Sequence, residues 1–149
     1  MNLSIKEQSI VNQAIAIIES KAIDGQLLNN PQLMSNLLRC KIAHLDYEVF
    51  VVVFMNTQHQ LLACEIMFRG TIDTSAVYPR EVAKRALELN ASAVALSHNH
   101  PSGSLVASDA DIKITNRLQQ ALALLEISVL DHIIVTKASS LSFAETGLL

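Results

Sequence analysis

Tryptophan is absent from this 149-residue chain, and phenylalanine and tyrosine bring the aromatic share to only 4%. The core must therefore be aliphatic, drawn from the Ala, Ile, Leu and Val of a composition that is 50% hydrophobic. So few aromatics leave no cluster on which the bases of a single-stranded nucleic acid could stack. Positive charge is lacking too. Eleven Lys and Arg against fourteen Asp and Glu give a net charge of −3, and no basic run offers the electrostatic footprint of a non-specific nucleic-acid binder. Strong nucleic-acid binding is not expected. Glycine and proline are scarce, with four and three residues, which argues against long disordered stretches. The two cysteines, Cys40 and Cys64, are far apart and outside any C-x-x-C pair, so they read as reduced thiols and not as a disulfide framework. The start Met1-Asn2-Leu3-Ser4 lacks a basic region followed by an apolar run, as a signal peptide would require. The apolar run that ends at Met55 is a strand's length and far too short for a membrane span. The expectation is a soluble, cytoplasmic protein with one sizeable core.

What is present is ordered. Ser4-x-x-Glu7 is a capping-box pattern, followed by an apolar stripe at Val11, Ala14, Ile15, Ile18 and Ala22, which predicts an amphipathic helix. Asn30-Pro31 starts a second, shorter helix with Leu33, Leu37 and Leu38 inward. These helices show no chemistry. Residues 1–45 read as an N-terminal helical extension that packs on the domain or joins two copies into a homo-oligomer. From residue 46 the period changes. Glu48 to Met55 and Leu61 to Phe68 read as a hairpin around the polar turn Asn56 to Gln60. Pro79 opens a helix that Asn90 closes. Ala91 to Ser97 is a short apolar strand buried on both faces. Ser108 to Leu125 is a helix with Ile114, Leu118, Ala121, Leu122 and Leu125 inward, and Ser128 to Thr136 a last strand. The order ββαβαβ predicts an α/β fold over residues 46–149, a mixed sheet covered by helices.

The loop after the apolar strand carries the chemistry. It reads His98-Asn99-His100-Pro101-Ser102-Gly103, then reaches Ser108 and Asp111. In extended backbone, residues two apart point the same way, so the imidazoles of His98 and His100 can converge. Asp111 falls in the first turn of the next helix, and the loop is long enough to return it to them. Two imidazole nitrogens and one carboxylate leave a fourth tetrahedral position for water, as a catalytic zinc site needs. The carboxyl end of a central strand is also where α/β sheets place ligands. A simpler reading stays open at this point: two surface histidines, and Ser108-x-x-Asp111 as a helix cap.

The whole string, H-x-H-P, six residues, then S-x-x-D, resembles the signature of the JAMM (MPN+) metalloproteases, and His98-Asn99-His100-Pro101-Ser102-Gly103 resembles the RadC family of bacteria. The flanks agree: Gly70-Thr71, Pro79-Arg80-Glu81, Ala91, Asp111-x-x-x-Thr115 and Leu130-Asp131-His132-Ile133-Ile134. The resemblance covers roughly Tyr47 to Leu149, and it is to the short members that lack a helix-hairpin-helix region. It implies a three-layer MPN/JAMM domain with the layering of cytidine deaminases. It implies zinc held by His98, His100 and Asp111, with Ser108 stabilising an oxyanion. Glu65, a charge set mid-strand, matches the family's general base, acting on a zinc-activated water. His132 becomes a supporting or structural residue; His44 and His59 read as surface residues. The implied function is a zinc metallopeptidase or isopeptidase acting on a peptide or protein. The alternative is a non-catalytic or DNA-repair-associated accessory of the RadC type. A zinc deaminase is set aside, because its H-x-E and P-C-x-x-C signatures are missing.

Overall fold

The computed structural model describes residues 2–25, 29–72 and 77–149. Helix α1 (Ile5–Asp24) begins at Ser4, whose hydroxyl accepts from the Glu7 amide while the Glu7 carboxylate accepts from the Ser4 amide. Helix α2 (Pro31–Ile42) is capped by the Asn30 side chain. There follow β1 (Val49–Met55), β2 (Leu61–Arg69), α3 (Pro79–Glu88), β3 (Ala93–Asn99), α4 (Asp109–Ala123), β4 (Ser128–Val135), β5 (Ser140–Ser142) and the short α5 (Phe143–Thr146). Asn90 closes the α3 turn in the left-handed region, at φ 55°.

The five strands form one mixed sheet in the order β2-β1-β3-β4-β5. Strand β1 runs antiparallel to both β2 and β3, and β3 runs parallel to β4 through the α4 crossover. Both faces are covered, so β1 and β3 are buried along their whole length. The two-residue strand period sorts their side chains. Val49, Val51, Val53, Met55, Ala93 and Ala95 pack under α1 and α2, through residues such as Ala22, Leu37, Leu38 and Ile42. Phe50, Val52, Phe54, Val94 and Leu96 pack on the other face, against Val82 and Ala86 of α3 and Ile114, Leu118 and Leu122 of α4. The result is three layers, helices on a mixed sheet on helices, as expected of an MPN/JAB domain. The helices of the first 45 residues form one of those layers. Among the described residues no helix is long and apolar enough to cross a membrane, and both cysteines are free thiols.

Two differences from expectation matter for the site. Strand β3 runs on to Asn99, so His98 lies inside the strand and not in the loop after it. The polar run His-Asn-His looks like loop in sequence, but it keeps its pairing on both sides: Phe50 with His98, and His98 and Asn99 with Ile134 and Val135. Strand β5 and helix α5 were not foreseen. β5 is three half-buried residues paired with β4, too short to show a pattern.

Candidate metal centre

His98 continues the series Val94, Leu96 on β3 and so points from the sheet toward α4. His100 follows directly after the strand. Its amide donates to the Val135 carbonyl at 2.9 Å, which extends the strand pairing by one residue. Asp111 sits in the first turn of α4, where Ser108 caps the helix reciprocally. The Ser108 hydroxyl accepts from the Asp111 amide at 3.1 Å, and the Ser108 amide donates to Asp111 Oδ2 at 2.8 Å. The helix cap and the chemistry therefore coexist: the capping box orients the carboxylate.

The three side chains meet. Nε2 of His98 lies 2.8 Å from Nε2 of His100 and 3.2 Å from Asp111 Oδ1, and His100 Nε2 lies 3.6 Å from Asp111 Oδ2. One ligand atom from each falls within 4.8 Å of the others. His98 and Asp111 are 1% and 2% exposed. The donor set fits a cation. His100 Nδ1 sits 2.7 Å from the Ser104 carbonyl, which can only accept, so the ring hydrogen is on Nδ1 and Nε2 presents its lone pair to the centre. Asp111 contributes a carboxylate. Burial works to raise the Asp111 carboxyl, but the close approach of His100 and His98 outweighs it and holds the group well below the usual carboxylate range. The same carboxylate raises His100 above its ordinary value, against the effect of burial. Three electron-pair donors facing one point hold either a shared proton or a metal ion. This group could hold a metal ion.

Below the centre lies His132 on β4, wholly buried among Phe50, Phe143 and His98. Burial holds its imidazole well below the ordinary value, with the His98 charge acting in the same direction.

Glu65 is not in this cluster. It lies on β2, an edge strand separated from β3 by the whole width of β1, opposite Val52. Its carboxylate is gripped by Arg85 of α3, with Nη2 at 2.6 Å from Oε1 and Nε at 2.9 Å from Oε2. That partner explains a charge in mid-strand, and lowers the Glu65 carboxyl below its usual value. The structure thus sets Glu65, expected as the general base, outside the His98 cluster and in an ion pair with Arg85.

The carboxylate that the sequence reading passed over is Glu48. Glu48 immediately precedes β1, two residues before Phe50, which pairs with His98. It is half-buried, and its charge contributes to the raised His100. Asn99 holds this stretch in place. Its buried Oδ1 accepts from the Val49 amide at 2.8 Å, and its Nδ2 donates to the Tyr47 carbonyl at 2.9 Å. The Asn99 amide thus brackets Glu48 from both sides.

A layered α/β domain with a buried His-His-Asp group at the end of its central strand is the architecture of the JAB class. Residues 28–148 match the family described as a RadC-like JAB domain. The chain belongs to this RadC family. It is 46% identical over 143 residues to a UPF0758 protein of Vibrio cholerae serotype O1, covering 96% of this chain and 90% of that protein. It is 47% identical over 142 residues to a UPF0758 protein of Leptothrix cholodnii, and 48% identical over 132 residues to one of Methylibium petroleiphilum. It spans 64% and 60% of those two longer relatives.

Proposed function

We propose that this chain is a zinc-dependent hydrolase that cleaves an amide bond, as a metallopeptidase or isopeptidase. The observation that carries the reading is the convergence of His98 Nε2, His100 Nε2 and the Asp111 carboxylate within 4.8 Å, with the charge of a second carboxylate, Glu48, felt at His100. Zinc held by these three residues would supply Lewis acidity and a water acidified toward a pKa of ~7.

The chain's own residues account for the rest of the reaction. Glu48 is the carboxylate to which we assign the proton taken from the attacking water and returned to the leaving amine, because its charge is felt at His100 while Glu65 is held by Arg85. The Ser108 hydroxyl stands at the head of α4 with its hydrogen not needed by the cap, where it only accepts; that hydrogen is free for a developing oxyanion, and the α4 N-terminus favours negative charge there. The exposed loop Pro101 to Ser104 borders the centre, where an extended peptide segment would approach.

Elemental analysis of protein purified without chelator tests the metal: near-stoichiometric zinc is expected, with loss in His100→Ala. Negligible metal, unchanged by that substitution, would sink the reading. Glu48→Gln is expected to keep zinc and lose turnover on a peptide or isopeptide substrate by about 10² to 10⁴-fold. Full activity in that variant would remove Glu48 from the reaction.

A further inference from the structure

The metal reading leaves one question about His98 open. Of its two ring nitrogens, Nε2 faces the centre and Nδ1 faces away. Nδ1 lies 2.7 Å from Nε2 of His132, in the floor of the site. His132 Nδ1 lies in turn 2.6 Å from Thr115 Oγ1, and Thr115 Oγ1 lies 2.7 Å from the Asp111 carbonyl, one helical turn back. All of these side chains are buried: Thr115 is 1% exposed and His132 0%.

A hydrogen count gives this chain of contacts a direction. The Asp111 carbonyl carries no hydrogen, so its contact with Thr115 uses the hydroxyl's only one. Thr115 Oγ1 must then accept from His132 Nδ1–H. With one hydrogen per ring, His132 Nε2 is left with a lone pair and accepts from His98 Nδ1–H. That leaves His98 Nε2 with its lone pair toward the centre. With one hydrogen per ring, any other assignment places two lone pairs, or two hydrogens, against each other at one of these three contacts; the one lone-pair contact left, His98 Nε2 to His100 Nε2 at 2.8 Å, is at the centre itself, where a cation or a shared proton would lie between them. The His132 ring cannot swing away, because it lies between Phe143, centroid 4.6 Å away, and the edge of Phe50 at 5.7 Å.

We propose that Thr115 and His132 are positioning residues: a buried relay anchored on the backbone of the metal ligand Asp111, which fixes His98 as the tautomer that offers Nε2. The relay presets the site before any ion arrives. It also ties two ligands together, since the carbonyl at its start belongs to the residue whose carboxylate is the third ligand. Hydrogen bonds that orient ligating imidazoles are commonly worth 10 to 100-fold in metal affinity. This inference rests on the metal reading above, but its first test does not need the metal.

The imidazole nitrogens of metal-free protein should be recorded by two-bond ¹H–¹⁵N correlation at about pH 8, where free imidazoles are neutral. His98 is expected as the Nδ1–H tautomer, as is His132. Thr115→Val removes the hydroxyl at constant shape, while Thr115→Ser keeps it. In competition with a zinc chelator, the Val variant should bind about 10 to 100-fold more weakly than wild type, with the Ser variant close to wild type. An Nε2–H tautomer at His98 in the wild-type protein would overturn the proposal, even if Thr115→Val failed to fold. So would a folded Thr115→Val protein that binds zinc as tightly as wild type. Wild-type protein with the expected tautomers but no affinity for zinc would overturn the metal reading instead, and with it the role of the relay in metal binding.

Discussion

Arg85 holds Glu65 through two nitrogens, and that grip has consequences that can be measured apart from the site. Both side chains are about a third exposed, so the pair belongs with surface ion pairs worth about 0.2–1 kcal/mol. Glu65→Gln should lower stability by no more than that and leave zinc content and turnover unchanged, whereas Glu48→Gln should abolish turnover. The sign with pH follows from the lowered Glu65 carboxyl. A carboxyl depressed in the folded state stabilises above its unfolded value, near 4.5, and that contribution is lost as the pH falls through the folded value. Urea unfolding of metal-free wild type and Glu65→Gln should therefore differ most near neutrality and converge in acid. A gap that widened in acid would contradict the assignment. Cys64 makes a simpler case. Burial pushes its thiol up to about 12, so an alkylating reagent near pH 8 should leave Cys64 unmodified in the folded protein and label it on unfolding. Rapid labelling under native conditions would show that the strand is not buried as described.

At the scale of elements, the start of α4 and the end of β3 build the site. Ser108→Ala removes the cap and should cost about 1 kcal/mol in unfolding free energy. The bond that anchors the Asp111 carboxylate is donated by the Ser108 backbone amide and survives the substitution, so zinc affinity should change far less than stability. A Ser108→Ala protein with unchanged melting would mean the cap contributes nothing. Much of this was readable in the sequence. The capping boxes at Ser4 and Ser108, the proline at the head of α3 and the apolar periods of β1 and α4 are local signals, and each marks its element to within a residue or two. The cluster of His98, His100 and Asp111 was readable for the same reason: they are near neighbours along the chain, and two rules of local geometry bring them together. Glu48 was not readable. Its place depends on pairing across fifty residues, and no local pattern separates a carboxylate that opens a strand beside a metal site from one that opens a strand beside water. Glu65 drew attention because a mid-strand charge is unusual, and the partner that accounts for it, Arg85, comes from a helix twenty residues on. His132 fits the period of its strand but faces the centre only because β4 lies parallel to β3.

Across the whole molecule, the layer made by α1 and α2 is part of the core and not an appendage. Leu37, Leu38 and Ile42 are fully buried against Val51, Val53 and Ala95. Leu38→Ala should cost about 2–5 kcal/mol, and a protein cut back to residue 46 should lose cooperative unfolding, because one face of its sheet would lie open to water. Cooperative melting of that fragment, with zinc retained, would make the helices dispensable. Charge acts at the same scale. With a net charge of −3, the protein should show no sub-micromolar affinity for duplex DNA at physiological salt; a tight, steeply salt-dependent interaction would require a local basic surface.

The order of the relay along the chain also bears on how the protein is made. His98, His100 and Asp111 leave the ribosome within fourteen residues of one another, while His132 follows Asp111 by twenty-one. At synthesis rates of about 5–20 residues per second, that is a delay of about one to four seconds. During it the ligands exist but the strand that orders them does not. A nascent chain stalled before His132 emerges should capture zinc weakly or not at all, and one released past β4 should capture it fully. By this reading the residue that completes the site in time is His132, whose contacts are with the His98 ring and Thr115.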